Sequence, residues 1–136
     1  MTTLDMIKQT GRSLPDLAGA HWLLRVTLAA FIAYQGYIKF PLLVGDAEGF
    51  GVPYFLWILA ALGEIGAGVA LIAGGFMRSW IGDVITRAGG AALALIVASV
   101  IVVVYWAPLM DLFIGNQFHI LLLIGGLYFA LRGNAA

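Results

Sequence analysis

The 136-residue chain has no cysteine. Disulfides, thiol redox relays and cysteine-ligated zinc or iron–sulfur centres are therefore excluded. Charge is scarce too. Asp, Glu, Lys and Arg make up 10% of the residues, against about a quarter in an ordinary soluble domain. Seven basic residues balance seven acidic ones, so no basic footprint is left for nucleic-acid phosphates. There is no glycine-rich phosphate loop, since the glycine pairs sit inside apolar runs, and no Ser-His-Asp or Cys-His arrangement.

Hydrocarbon fills the chain instead. Apolar residues make up 62% of it and the mean hydropathy is +1.01. A chain this small cannot hide that much apolar surface in its own core. Its surroundings must then be lipid, which excludes a cytosolic or secreted globular domain and a disordered chain.

A bilayer core takes about 20 helical residues, each rising about 1.5 Å. Four apolar segments fit, at about 14–38, 53–77, 85–107 and 118–131. The fourth is short and is expected to begin inside the polar turn before it. Ser13, Pro15 and Asp16 read as an N-cap, an early proline and a first-turn acid. Pro53 opens the second segment, and Gly74 and Gly75 weaken its end. Pro108 stops the third, Gly115-Asn116 is a turn, and Gly133-Asn134 stops the fourth. The expected fold is all-α: a transmembrane four-helix bundle over residues 14–133, preceded by a polar segment over 1–13. The first apolar run is longer and further from the start than that of a cleaved signal peptide, so it reads as a retained helix.

With four spans, Lys8, Arg12, Arg78, Arg87 and Arg132 share one side with both termini. The other side has Lys39, with Asp46, Glu48 and Asp111 around it. The excess of basic residues puts both termini in the cytoplasm. Trp22 and Trp80 then fall at the cytoplasmic boundary and Trp57 and Trp106 at the outer one, as interfacial belts require.

Two ionisable residues lie within the spans, Arg25 and Glu64. Each alone costs about 2.5–3.5 kcal/mol at the bilayer centre on insertion scales. Counted from Lys39 and Pro53, they lie about 21 and 16 Å deep, so an Arg25–Glu64 ion pair is expected. Arg25, Ala29, Ile32, Gly36 and Lys39 form one stripe at helical spacing, and Ala60, Ala61, Glu64, Ala67, Gly68 and Gly75 another. The small residues of the second stripe favour close helix packing. Such a pair serves either to fix helix register or to mark a proton or polar-ligand site. Further along, Gly90, Ala94 and Ala98 form one contact seam and Leu122, Gly126 and Ala130 another, with each other or with a second protein. Val100–Val104 reads as facing lipid or a partner, and Ser99 as bonding a carbonyl of its own helix.

Tyr34, Gln35, Lys39, Tyr105, Trp106, Asp111, Asn116, Gln117 and His119 gather at the outer end. An interfacial belt with a solvated loop explains them. A quinone mouth drawing donors from Gln35, Lys39, Tyr105 and His119 is the alternative. No metal is expected, because His119 has no second histidine nearby and His21 lies toward the opposite side.

The string LLRVTLAAFIAYQGYIKF has an arginine early in the first span and a Gly-x-x-Lys at its outer end. It is followed by GEIGAGVALIAGGFMR in the second span and GGLYFALRG in the last. In these features, across residues 22 to 133, the chain resembles the DoxX family, small four-helix membrane proteins of bacteria and archaea. The resemblance points to Arg25, Gly36, Lys39, Glu64 and Arg78, and implies association with membrane redox systems in the bacterial inner membrane. The family takes its name from a subunit of a terminal quinol oxidase with a thiosulfate:quinone connection. The expected function is a non-catalytic accessory subunit of a larger membrane redox or electron-transfer complex, with other membrane subunits as partners. A quinone-binding oxidoreductase subunit is one alternative. A small transporter or channel lined by Arg25 and Glu64, built as an oligomer, is the other.

Overall fold

The computed structural model describes residues 2–13 and 18–134 of the chain, and every element in them is helical. The helices are α1 (Thr3–Ser13), α2 (His21–Tyr37), α3 (Val44–Gly49), α4 (Tyr54–Phe76), α5 (Trp80–Val103), α6 (Leu109–Gly115) and α7 (Gln117–Arg132), with one 3₁₀ turn at Ala18–Ala20. Helices α4 and α5 are long and apolar enough to cross a membrane. The pair α6 and α7 meets the same test as one unit bent by 82°. The bend sits at Asn116, the position expected to turn, and Pro108 precedes α6. The expected cap at Ser13, Pro15 and Asp16 rests on residues 14–17 and the Ser13 side chain, which lie outside the described residues.

The first 13 residues are not simply a polar lead. Thr2 and Asp5 close the start of α1 with reciprocal bonds: the Asp5 amide donates to Thr2 Oγ1, and the Thr2 amide to Asp5 Oδ2, both at 3.1 Å. The Thr2 hydroxyl also donates to Asp5 Oδ2, at 2.7 Å, and this bond together with that of the Thr2 amide holds the Asp5 carboxyl below its ordinary value. Leu4, Met6 and Ile7 of α1 are exposed.

The four longer helices pack in chain order, α2 on α4, α4 on α5 and α5 on α7, and α2 touches α7 more lightly. The core between them is Leu28, Ile32, Leu71, Leu93, Val97 and Phe129 with their smaller neighbours. Close backbone approach sets the α2–α4 and α5–α7 contacts. A Cβ on Gly36 would lie 2.6 Å from the Ala61 carbonyl oxygen, and one on Gly68 2.9 Å from that of Ala29. Gly90 and Gly126 face each other the same way: a Cβ on Gly90 would lie 2.5 Å from the Gly126 oxygen, and one on Gly126 2.8 Å from the Gly90 oxygen. The seams expected on the third and fourth segments therefore meet one another, not a second protein. Ser99 donates to the Leu95 carbonyl at 2.8 Å, as its position suggested.

Pro53 stands just before α4, whose first turns project past the end of α2. The connection folds over them. Tyr54 donates to the Leu42 carbonyl at 2.6 Å, and Phe50 stacks on Trp57 with ring centroids 5.4 Å apart. Trp57 is 8% exposed, so it does not join a surface belt as expected. It forms a wall between the connection and the helices.

Candidate functional site

The contacts of the glycines fix the α2–α4 register. Gly36 meets Ala61 and Glu64, Gly68 meets Ala29 and Ala33, and Gly75 meets Trp22 and Arg25. Arg25 therefore lies level with Gly75, eleven residues and about 16 Å of helix beyond Glu64. The expected Arg25–Glu64 pair does not form. Both residues do face the interior, with Arg25 0% and Glu64 3% exposed, but each belongs to its own polar cluster.

Glu64 pairs with Lys39. Lys39 lies just past α2 and turns back along it, so that its Nζ stands 2.7 Å from Glu64 Oε1. The same ammonium donates to the Gln35 carbonyl at 3.1 Å and lies 5.2 Å from the centre of the Trp57 ring. The side chains are 14% and 4% exposed. The absence of a Cβ at Gly36 lets α4 come near enough for the pair to close.

Arg25 has no carboxylate partner among the described residues. Nη1 donates to the Leu71 carbonyl at 2.6 Å and to Thr86 Oγ1 at 2.9 Å. Nη2 donates to Asn134 Oδ1 at 2.9 Å, and Nε to His21 Nδ1 at 3.2 Å. The guanidinium centre lies 4.7 Å from the Phe129 ring and 5.4 Å from Trp22, near enough for cation–π attraction. Four neutral acceptors and two aromatic faces thus replace its hydration.

Asn134 ties this cluster to three helices. Its Nδ2 donates to the Gly74 carbonyl at 2.7 Å, its amide donates to Asp83 Oδ1 at 2.8 Å, and its Oδ1 also accepts from Thr86 at 2.8 Å. Gly133, at a φ of 64°, makes the turn that delivers it, a conformation that favours glycine. Arg87 pairs with Asp83 at 2.8 Å and donates to the Leu131 and Arg132 carbonyls at the end of α7, where a cation complements the helix dipole.

The outer residues do not assemble into one mouth. Tyr105 and His119 lie ring to ring at 4.9 Å, and Lys39 holds the Gln35 carbonyl. Among the described residues no hydrogen bond, ion pair or ring contact joins these two pairs. Nor do three His, Asp or Glu side chains converge there on a point that could hold a metal. Arg25 and Glu64, about three turns apart in depth, do not line a common path.

Thr86, Asn134 and the Asp83–Arg87 pair are the polar residues that sequence reasoning missed. The Asp-x-x-x-Arg spacing, which puts both charges on one helix face, was the readable signal for the last of these. Thr86 is a single hydroxyl in an apolar run, and Asn134 read only as a stop.

The described residues also form hollows at the surface. One, of about 250 Å³, is lined by His21, Arg25, Gly75, Met77, Arg78, Arg132 and Asn134. Another, of about 450 Å³, is a groove along the α2–α4 seam lined by Ala29, Ala30, Ala33, Gly68, Val69, Ala73 and two further aliphatic side chains. No protein-family model, no curated protein and no solved structure matches the chain.

Proposed function

We propose that the protein is a four-span integral membrane protein of the bacterial inner membrane, with both termini cytoplasmic, serving as an accessory subunit of a larger membrane redox complex. In this reading α2, α4, α5 and α7 are the spans. The surfaces of α4 and α5 support the membrane assignment, with Phe55, Leu59, Leu62, Val69, Leu95 and Val102 all exposed. The DoxX-like residues supply the redox connection. Three of them, Gly36, Lys39 and Glu64, form one structural unit, and Arg25 anchors the other polar cluster. These groups are occupied in holding helices together, which suits a scaffold more than a catalyst.

The α2–α4 groove carries the accessory role. It is apolar, built mainly from alanine and glycine, and lies between the two polar clusters. Small residues of this kind let a second transmembrane helix approach closely. The occupant we assign is a membrane-spanning helix of the larger subunit.

The test is purification of the full chain in mild detergent, with quinol oxidase or quinone reductase activity assayed in the same fractions. The activity is expected to travel with the wild-type chain and to be lost from the fractions containing the Ala30→Phe variant, whose added ring fills the groove. Wild-type chain that migrates apart from every such activity overturns the redox assignment. Unchanged association of Ala30→Phe assigns the groove to lipid and overturns it as the docking site.

A further inference from the structure

The hollow at the Arg25 end is lined by cations and by no acid. Arg25, Arg78 and Arg132 contribute three guanidinium groups, and His21 and Asn134 complete the polar lining. Among the described residues the nearest acid tied to this cluster is Asp83, and it is engaged by Arg87 and by the Asn134 amide. Neither Arg78 nor Arg132 has an ion-pair partner among the described residues; Arg132 rests 5.5 Å from the Tyr128 ring. Arg25 is fully buried, yet all its hydrogen-bond partners are neutral.

The donors also point to an anion. Four of the five N–H groups of Arg25 are bonded, and the side chain has no exposed surface, so it acts on the hollow through its charge. His21 accepts from Arg25 through Nδ1, so the neutral ring carries its proton on Nε2, a further donor. Asn134 Oδ1 is saturated by Arg25 and Thr86. The hollow thus offers donors and positive charge with little to satisfy them. At about 250 Å³ it is smaller than the clefts of about 300–1,000 Å³ that take drug-sized ligands, and it suits a compact oxyanion. Arg78 and Arg132 line this small space, and a planar guanidinium fork matches the oxygens of a phosphate group. The surroundings give its level: Trp22 against Phe76 at 4.8 Å, exposed Trp80 and Tyr128 beneath Arg132 are aromatic residues of the type that sits among lipid headgroups.

We propose that this hollow is a phosphate-binding site, held by Arg78, Arg132 and His21 above the buried charge of Arg25, which takes the phosphate of an anionic lipid headgroup or free inorganic phosphate. It stands independently of the redox assignment. Arg25 is the prepositioned base of the site, because its network fixes it before any ligand arrives. Arg78 and Arg132 close over the outer oxygens.

The experiment uses the full chain in detergent micelles, with phosphatidylglycerol and inorganic phosphate as separate probes and diacylglycerol and acetate as controls. Lipid retention is read by native mass spectrometry and phosphate binding by protection against thermal unfolding. The wild type is expected to bind at least one of the phosphate probes in preference to its control. The Arg78→Gln/Arg132→Gln double variant is expected to bind it about tenfold or more weakly, with an unchanged unfolding midpoint in the absence of probe. Phosphatidylglycerol retained against excess inorganic phosphate identifies the lipid as the source; protection by inorganic phosphate without lipid retention identifies the free anion. Equal binding by wild type and variant overturns the proposal. So does acetate protecting as well as phosphate, or neither probe binding the wild type. Should the double variant fail to fold, exposed Arg78→Gln alone carries the comparison.

Discussion

Glu64 and Lys39 show what a single charge demands inside an apolar bundle. Removing one partner leaves the other buried without compensation, which costs about 3–5 kcal/mol, whereas replacing both with apolar groups is often neutral. Lys39→Met is therefore expected to lower the unfolding free energy by about that amount, and Lys39→Met with Glu64→Leu to recover most of it, measured by reversible unfolding in detergent. The charge-swapped pair Lys39→Glu/Glu64→Lys is expected to fold better than either single swap. Arg25→Glu/Glu64→Arg is expected to give no rescue, since those residues are about 16 Å apart along the seam. Rescue by that second swap would refute the partner assignment. Arg25 itself is held by carbonyl, hydroxyl, amide and imidazole groups, so its loss would unsettle α2, α4, α5 and the end of α7 together.

At the level of elements, glycines decide which helices meet and at what height. Gly36 and Gly90 each sit where a Cβ would collide with the backbone of the facing helix. Gly36→Val and Gly90→Val are each expected to cost about 1–3 kcal/mol, the usual range for overpacking, read as a fall in the thermal midpoint. Gly66, where an added Cβ would meet nothing within 4 Å, is the control, and Gly66→Ala is expected to leave the midpoint unchanged or raise it. These helices were legible in the sequence because their apolar lengths and the boundaries at Pro53, Gly74-Gly75 and Gly115-Asn116 are local signals; the third segment differs, since α5 spans Trp80–Val103 in place of 85–107 and Pro108 opens α6. The inward faces of α2 and α4 were legible for the same reason: Arg25, Ala29, Ile32 and Gly36 are all buried, as are Ala61, Glu64, Ala67 and Gly68. The relative height of the two helices was not. Counting from Lys39 and Pro53 assumed that both marked one level. The Gly36–Ala61 contact shows α4 starting about two turns, or about 10 Å, beyond the end of α2. That offset depends on how the connection with α3 folds over Trp57, a tertiary property with no local signature. It moved Glu64 from the level of Arg25 to within reach of Lys39. The amphipathic α1 was missed because its polar residues dominated a short segment.

For the whole molecule, the lack of native cysteine makes sidedness directly measurable. A cysteine at Asp46, in α3, is expected to react with a membrane-impermeant maleimide added to intact cells. One at Gln9, in α1, is expected to react only after the membrane is opened. Labelling of both from the same side would rule out the proposed arrangement of α2 as a span between them. The reverse pattern would invert the orientation.

The lengths of the helices carry one more consequence. Helices α2 and α7 have 17 and 16 residues, or about 26 and 24 Å of rise, whereas α4 and α5 have 23 and 24, or about 35 and 36 Å. The short pair are neighbours, joined where Phe31 meets Phe118 at 5.5 Å, and the long pair are neighbours too. If all four helices span as proposed, then against a hydrocarbon layer of about 30 Å one flank is too thin and the other too thick. Acyl chains must compress beside the first and stretch beside the second, or the whole body must lean. Such a wedge prefers a thickness step in the bilayer, and its thin flank is best matched by a protein whose own apolar belt is equally narrow.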